Sequence, residues 1–211
     1  MPISRRFLLG VGSAAIAGAG LLRAQAAWAA DDPRMGERAL GKADAPVTAT
    51  EWFSLTCPHC AAFHRESLPT IKTQLIDTGK LRLIYRDFPL DQVALAAAMV
   101  ARALPAERYE SFIGALFASQ DRWAFNRSVN PIDELAKMAA LAGMPRETFN
   151  ATLNDQAFKL AILKGQQEAE QVYKVDSTPT FILNGPKAKD RREAGAKSAE
   201  EFARLVAEAA G

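Results

Sequence analysis

Two cysteines occur in the 211 residues, and only two positions separate them: Cys57-Pro58-His59-Cys60. Such a pair can exchange a disulfide with another thiol or help hold a metal ion. As a staple it would do little, because a bridge over so short a loop removes little entropy from the unfolded chain. Placement says more than spelling. Val47 to Ser54 reads as a strand, with β-branched and aromatic residues bounded by Pro46 and the Cys-Pro step. An amphipathic helix starts at Pro58, so Cys57 stands where the helix begins and Pro58 takes the first helical position, which needs no N–H partner. Unpaired N–H groups and the positive end of the helix dipole then face the Cys57 sulfur and favour its anion. His59 adds a polar or cationic group inside the loop. Cys60, one turn deeper, is the more buried thiol and the one that resolves a mixed disulfide. A stabilised Cys57 thiolate favours the reduced form, so the disulfide is readily given away. The pattern points to donation of oxidising equivalents rather than to reduction.

A metal reading starts from four possible ligands, Cys57, His59, Cys60 and His64. One helix start cannot easily wrap four ligands tetrahedrally around an ion, and zinc sites usually use two separated ligand pairs. Neither a metal nor another cofactor is therefore expected, and His64 reads as an ordinary helix-surface histidine. Glu51 is more informative. It sits six positions before Cys57 in an otherwise apolar strand, on the face of Val47, Ala49 and Phe53. Carboxylates are rarely buried without a purpose, and one beneath a dithiol could accept or supply a proton during exchange. An edge strand that leaves Glu51 in water is the alternative. Thr178-Pro179-Thr180 is the third piece. A proline entering a short strand fits an edge or a cis peptide bond. A cis Pro179 would turn the Thr178 carbonyl and N–H toward a substrate chain, whereas an ordinary turn proline would do nothing of the kind.

The elements that must position these residues follow from periodicity and punctuation. Asp31 to Asp44 reads as a polar leader. The helix from Pro58 runs toward Asp77 with Phe63, Leu68, Ile71 and Leu75 as its apolar stripe, kinked at Pro69 and ended by Thr78-Gly79. Leu81 to Arg86 alternates as a second strand. Helical segments follow at Gln92–Ala103, Pro105–Ser119, Asn130–Ala142, Pro145–Asn154 and Gln156–Val172, with Pro or Gly near most boundaries. Thr180 to Leu183 is a short strand, Asn184-Gly185 a turn, and Lys187 to Gly195 a charged partner strand for the hairpin. The last helix opens with Ser198-Ala199-Glu200-Glu201, a capping-box pattern. Strands at both ends thus enclose about eighty residues of helix.

The first residues read as an address. Ser4-Arg5-Arg6-Phe7-Leu8-Leu9 and the Gly- and Ala-rich stretch to Leu22 have the layout of an export signal over residues 1–29, with cleavage after Ala26 or Ala29; the paired arginines resemble the twin-arginine type, and the general secretory route is the alternative. The stretch is too short and too diluted with glycine for a membrane anchor. Export implies the periplasm, where disulfides persist. Of 26 Lys and Arg residues, three lie in this segment, and the remaining 23 face 24 Asp and Glu. That balance gives no support for nucleic-acid binding.

Taken together, Glu51 through Cys60, the helical insertion and Ser177-Thr178-Pro179-Thr180-Phe181 resemble the thioredoxin superfamily, and within it the DsbA-like disulfide oxidoreductases. The likeness runs from about Leu40 to the C-terminus. It implies an α/β architecture, a thioredoxin fold with an inserted all-helical domain, divided as residues 30–91, 92–173 and 174–211. It also implies that Cys57 is the sulfur that substrate thiolates attack and Cys60 its redox partner, with Glu51 matching the family's buried acid and Pro179 its cis proline. Thr178 stands where the best-known oxidases carry an aliphatic residue, and could hydrogen-bond and make the centre less oxidising. The implied role is a monomeric dithiol oxidase that passes its disulfide to newly exported proteins with free thiols. A membrane quinone-linked partner would reoxidise it. An isomerase or reductase, and a peptide-binding chaperone, are the alternatives.

Overall fold

The computed structural model describes residues 32–211, so the export signal and its cleavage sites lie outside the described residues. Its centre is a five-stranded sheet in the order β1-β3-β2-β4-β5. β2 (Val47–Phe53) and β3 (Leu81–Asp87) run parallel, with Val47 opposite Leu81 and Glu51 opposite Tyr85. β4 (Thr180–Gly185) is antiparallel to β2 and sets Phe181 against Glu51, and β5 (Ala188–Ala194) completes a hairpin with β4. The order follows from burial. In β3 alternate residues are buried, as on a sheet with one face on the core, whereas Glu51, Trp52 and Phe53 of the central β2 are all buried. This is the α/β thioredoxin arrangement with a helical insertion.

A parallel pair needs a crossover, here supplied by the helix that starts beside Cys57. It comprises α1 (Pro58–Ala62), a wider π-type stretch at Phe63–Ser67, α2 (Leu68–Ile71) and a second π-type stretch at Lys72–Ile76. Pro69 cannot donate a backbone hydrogen bond, and widened turns on either side of its segment take the place of a single kink. Gly79, at φ +77°, ends the element and donates to the Ile76 carbonyl at 3.0 Å.

The insertion contains α3 (Gln92–Ala103), α4 (Ala106–Ala118), α5 (Gln120–Trp123), α6 (Pro131–Leu141), α7 (Arg146–Asn154) and α8 (Gln156–Val172). Asp91 caps α3 by accepting from Ala94 N at 2.7 Å, and Asp155 caps α8 through Phe158 N at 3.0 Å. Every residue from Ala94 to Arg102 is buried, and the run of alanines lets neighbours approach α3 on all sides. Arg102 lies inside this packing at 1% exposure. It ion-pairs with Asp87 and donates to the Arg34 and Gly36 carbonyls, both at 3.2 Å. A buried guanidinium is tolerable only with such partners. The pair ties the insertion to the end of β3.

α9 (Ala199–Ala210) closes the fold, with Ser198 Oγ accepting from Glu201 N at 3.1 Å. Its Phe202 meets Phe181 of β4 and Phe63 of the crossover helix, at ring-centroid separations of 5.1 and 5.8 Å. Three features differ from the reading of the sequence. The polar leader holds a 3-10 turn at Pro33–Met35 and an edge strand, β1 (Arg38–Leu40), paired with β3. The extra short helix α5 follows α4 directly. The hairpin turn lies at Pro186-Lys187 rather than at Asn184-Gly185, which belong to β4; the register shifts between Leu183 and Gly185, and Asp190 adopts φ 49° while donating to Asn184 Oδ1 at 2.8 Å.

Candidate active site

Cys57 has extended backbone angles, φ −82° and ψ 120°, as residues that begin helices do, and Pro58 follows at the first helical position. Ala61 N donates to its carbonyl at 3.1 Å, so the carbonyl is spent on the helix and the thiol is left to the loop. Both cysteines are free thiols; Cys57 is 4% exposed and Cys60 not at all. Burial and contacts divide the two sulfurs. Hydrogen bonding from Cys60 is the largest influence on Cys57; burial opposes it, and Thr178 and the backbone N–H groups of Cys60 and His59 add to it, bringing Cys57 down to about 5. Burial pushes the Cys60 thiol up, helped by its bond to Cys57 and by the negative charge of Glu51. One sulfur is held as a thiolate at neutral pH and the other as a thiol.

The Thr178–Pro179 bond is cis, and Cys57 Sγ donates to the Thr178 carbonyl at 3.3 Å. Thr178 acts in two directions. Its carbonyl accepts from the thiol and favours the protonated form, whereas its hydroxyl, buried with no other partner, favours the anion. On balance the anion prevails. His59 and Pro58 are exposed at the rim beside the sulfur.

Glu51 is fully buried, not at an edge. Its carboxylate lies against His64 Nε2, at 3.1 Å from Oε1 and 3.0 Å from Oε2. The expectation of a surface histidine for His64 is therefore corrected: its side chain is only 4% exposed. The physical reason is helix geometry. His64 lies four residues after Cys60, hence on the same face of the crossover helix, which turns inward toward β2. That spacing was the available signal. Cys57, Cys60, Glu51, Thr178 and Pro179 gather at one end of the sheet, and no group of three or more His, Cys, Asp or Glu side chains suited to a metal occurs among the described residues.

Other residues hold the loop. Gln120, buried at the start of α5, donates through Nε2 to the Leu55 carbonyl at 2.9 Å and the Cys57 carbonyl at 3.1 Å. Thr56 Oγ1 donates to Asp91 Oδ2 at 2.6 Å, so the cap of α3 also anchors the cysteine loop. Cys57 N donates to the Ser54 carbonyl at 3.1 Å. No local pattern marks Gln120; its role exists only through chain segments about sixty residues apart.

The model of the family described as Thioredoxin matches residues 34–208. The chain belongs to that family. More narrowly, it is a DsbA-like member of the thioredoxin superfamily. A crystal structure of Wolbachia pipientis α-DsbA1 superposes with a TM-score of 0.75 at 31% identity, covering 83% of this chain and 91% of that one. A Rickettsia prowazekii chain described as a protein-disulfide oxidoreductase is 30% identical over 147 residues, which are 69% of this chain and 53% of that one. This chain thus spans about half the length of its rickettsial relatives. BdbD from Bacillus subtilis, at 20% identity and a TM-score of 0.69, shares the fold. No helix among the described residues is long and apolar enough to cross a membrane.

Proposed function

We propose that the chain is a periplasmic dithiol oxidase, which donates a Cys57–Cys60 disulfide to newly exported proteins. The observation that carries this reading is the split between the sulfurs, with Cys57 at about 5 and Cys60 pushed up by burial. In the disulfide form a substrate thiolate attacks Cys57 Sγ. A bond forms between the substrate sulfur and Cys57, the Cys57–Cys60 bond breaks, and Cys60 leaves with the electron pair and takes up a proton. A second substrate thiolate then attacks the first substrate sulfur and expels Cys57 as its stable thiolate. The substrate has lost two electrons and the centre has gained them.

Glu51 is placed to exchange the Cys60 proton. Thr178 and Pro179 offer backbone beside Cys57 on which an extended substrate segment could lie, and His59 stands at the rim where that segment would arrive. Reoxidation would fall to a membrane quinone-linked partner, as the family resemblance implies.

The test is the redox equilibrium of the Cys57–Cys60 pair against glutathione. A potential well above that of thioredoxin, about −270 mV, is expected. A value as low as thioredoxin's refutes the oxidase and favours a reductase, since such a pair holds its disulfide.

A further inference from the structure

The exchange proposed above moves a proton on and off a sulfur that has no access to water, and the inference here rests on that reading. Cys60 is fully buried. When the disulfide breaks, burial disfavours a Cys60 thiolate, so a proton must reach it through the protein. Glu51 is equally buried and has His64 as its hydrogen-bonding partner, through a single ring nitrogen set between the two carboxylate oxygens. His64 Nδ1 makes no hydrogen bond within the described residues. The imidazole is wedged among aromatic rings, with Phe117 at a centroid distance of 4.3 Å and Phe63, Tyr85 and Phe53 at 5.7 to 6.0 Å.

The other ionisable groups around the pair do not compete for this task. From β3 comes Tyr85 and from α4 Tyr109, both with buried hydroxyls lacking partners. Burial pushes both up, so they stay neutral. From α1 and the residue that precedes it come Cys60 and Cys57 themselves. Lys72 and Glu110 pair with each other at 2.9 Å, with more than a third of each side chain in solvent.

We propose that His64 is a positioning residue for thiol–disulfide exchange: its Nε2 holds the Glu51 carboxylate in place and shares the proton that Glu51 passes to and from Cys60. In the proposed exchange the transferred proton lies on the hydrogen bond between His64 Nε2 and the Glu51 carboxylate. When a substrate thiolate breaks the Cys57–Cys60 bond, that proton moves to the Cys60 sulfur and leaves carboxylate and neutral imidazole. During reoxidation Cys60 attacks the mixed disulfide on Cys57. Its proton returns to the pair as it attacks, so that the nucleophile is the thiolate, and the oxidant's thiolate is expelled. His64 never touches the reacting sulfur and acts only through Glu51.

The test is His64→Gln in the otherwise intact protein. The amide can still hydrogen-bond Glu51 but cannot hold the proton. Stopped-flow reduction by dithiothreitol and reoxidation by oxidised glutathione are followed from pH 5 to 9. The variant is expected to slow about tenfold at neutral pH, below the range for direct proton transfer because His64 acts through a second group. The shape of its pH profile should change, while the Cys57 thiolate titration at 240 nm stays put.

In the wild-type protein, imidazole NMR signals of His64 should shift between the oxidised and reduced forms at constant pH. This second measurement decides the matter even if the variant fails to fold. A uniform slowing with an unchanged pH profile, or ring signals blind to redox state, means that His64 only packs and overturns the proposal. Small thiols exchange with any such pair, so a thioredoxin-like potential would end the oxidase reading while leaving the His64 result standing.

Discussion

The low pKa of Cys57 has a thermodynamic consequence that a pH change exposes. The group moves from an ordinary value of 9.0 to about 5 in the folded, reduced protein. A depressed acid adds nothing below its folded value, where both states are protonated, and its full worth above its unfolded value. The stability due to Cys57 therefore grows as pH rises from 5 to 9 and is lost as pH falls through 5. At pH 7, two units above the folded value, it amounts to about 2.7 kcal/mol. Water at the rim beside Pro58 and His59 screens this, and about half of it is the safer figure. The assay is urea unfolding of the reduced protein and of Cys57→Ser at pH 7 and at pH 4. Other titrating groups are common to both proteins and cancel. The stability advantage of the wild type should shrink by about 1.4 to 2.7 kcal/mol on going to pH 4, and the same energy raises the disulfide's potential by about 30 to 60 mV. No pH dependence in the difference, or one of opposite sign, would refute the thiolate argument. Cys60 adds nothing here, since a thiol whose pKa has risen is protonated in both states at either pH.

Two further outcomes test the scaffold. Gln120→Leu removes the side-chain donor shared by the Leu55 and Cys57 carbonyls, the second of which keeps Ala61 N, and should destabilise the protein by about 1–3 kcal/mol, measured by urea unfolding, with a disturbed Cys57 titration. Arg102→Met leaves Asp87 as an unpaired buried charge and should cost about 3–5 kcal/mol in the same assay; adding Asp87→Leu should recover much of that loss, and if it does not, the pair is not what holds α3 to β3.

The parts of the fold that were legible are those with local causes. α3 and α8 begin after aspartates that cap them, and their observed bounds, Gln92–Ala103 and Gln156–Val172, are those the pattern suggests. β2 and β3 carry clear apolar runs. Causes that lie far along the chain were not legible. β1 contains Arg38 and is three residues long, so it is a strand only because β3 offers an unpaired edge. Gln120 matters because two carbonyls far earlier in the chain converge on it. In the site, Cys57, Cys60, Glu51 and the Thr178–Pro179 step could be singled out because each breaks the expectation for its element: a thiol at a helix start, an acid in an apolar strand, a proline entering a strand. His64 breaks no such rule. Histidine on a helix is ordinary, and only the inward turn of that face makes it a partner for Glu51.

The contact between Cys57 and Thr178 joins residues 121 positions apart. On a growing chain that separation is a delay. Until β4 enters the sheet beside β2, Cys57 has no Thr178 beside it, and a partly made chain carries a cysteine of more nearly ordinary reactivity. The entropy of closing so long a loop rises only with the logarithm of its length, so the cost is bearable once the partner strand exists. Thr178 thus adds its part to the poise of the sulfur only once β4 is in place, while the contribution of Cys60 is local to the turn.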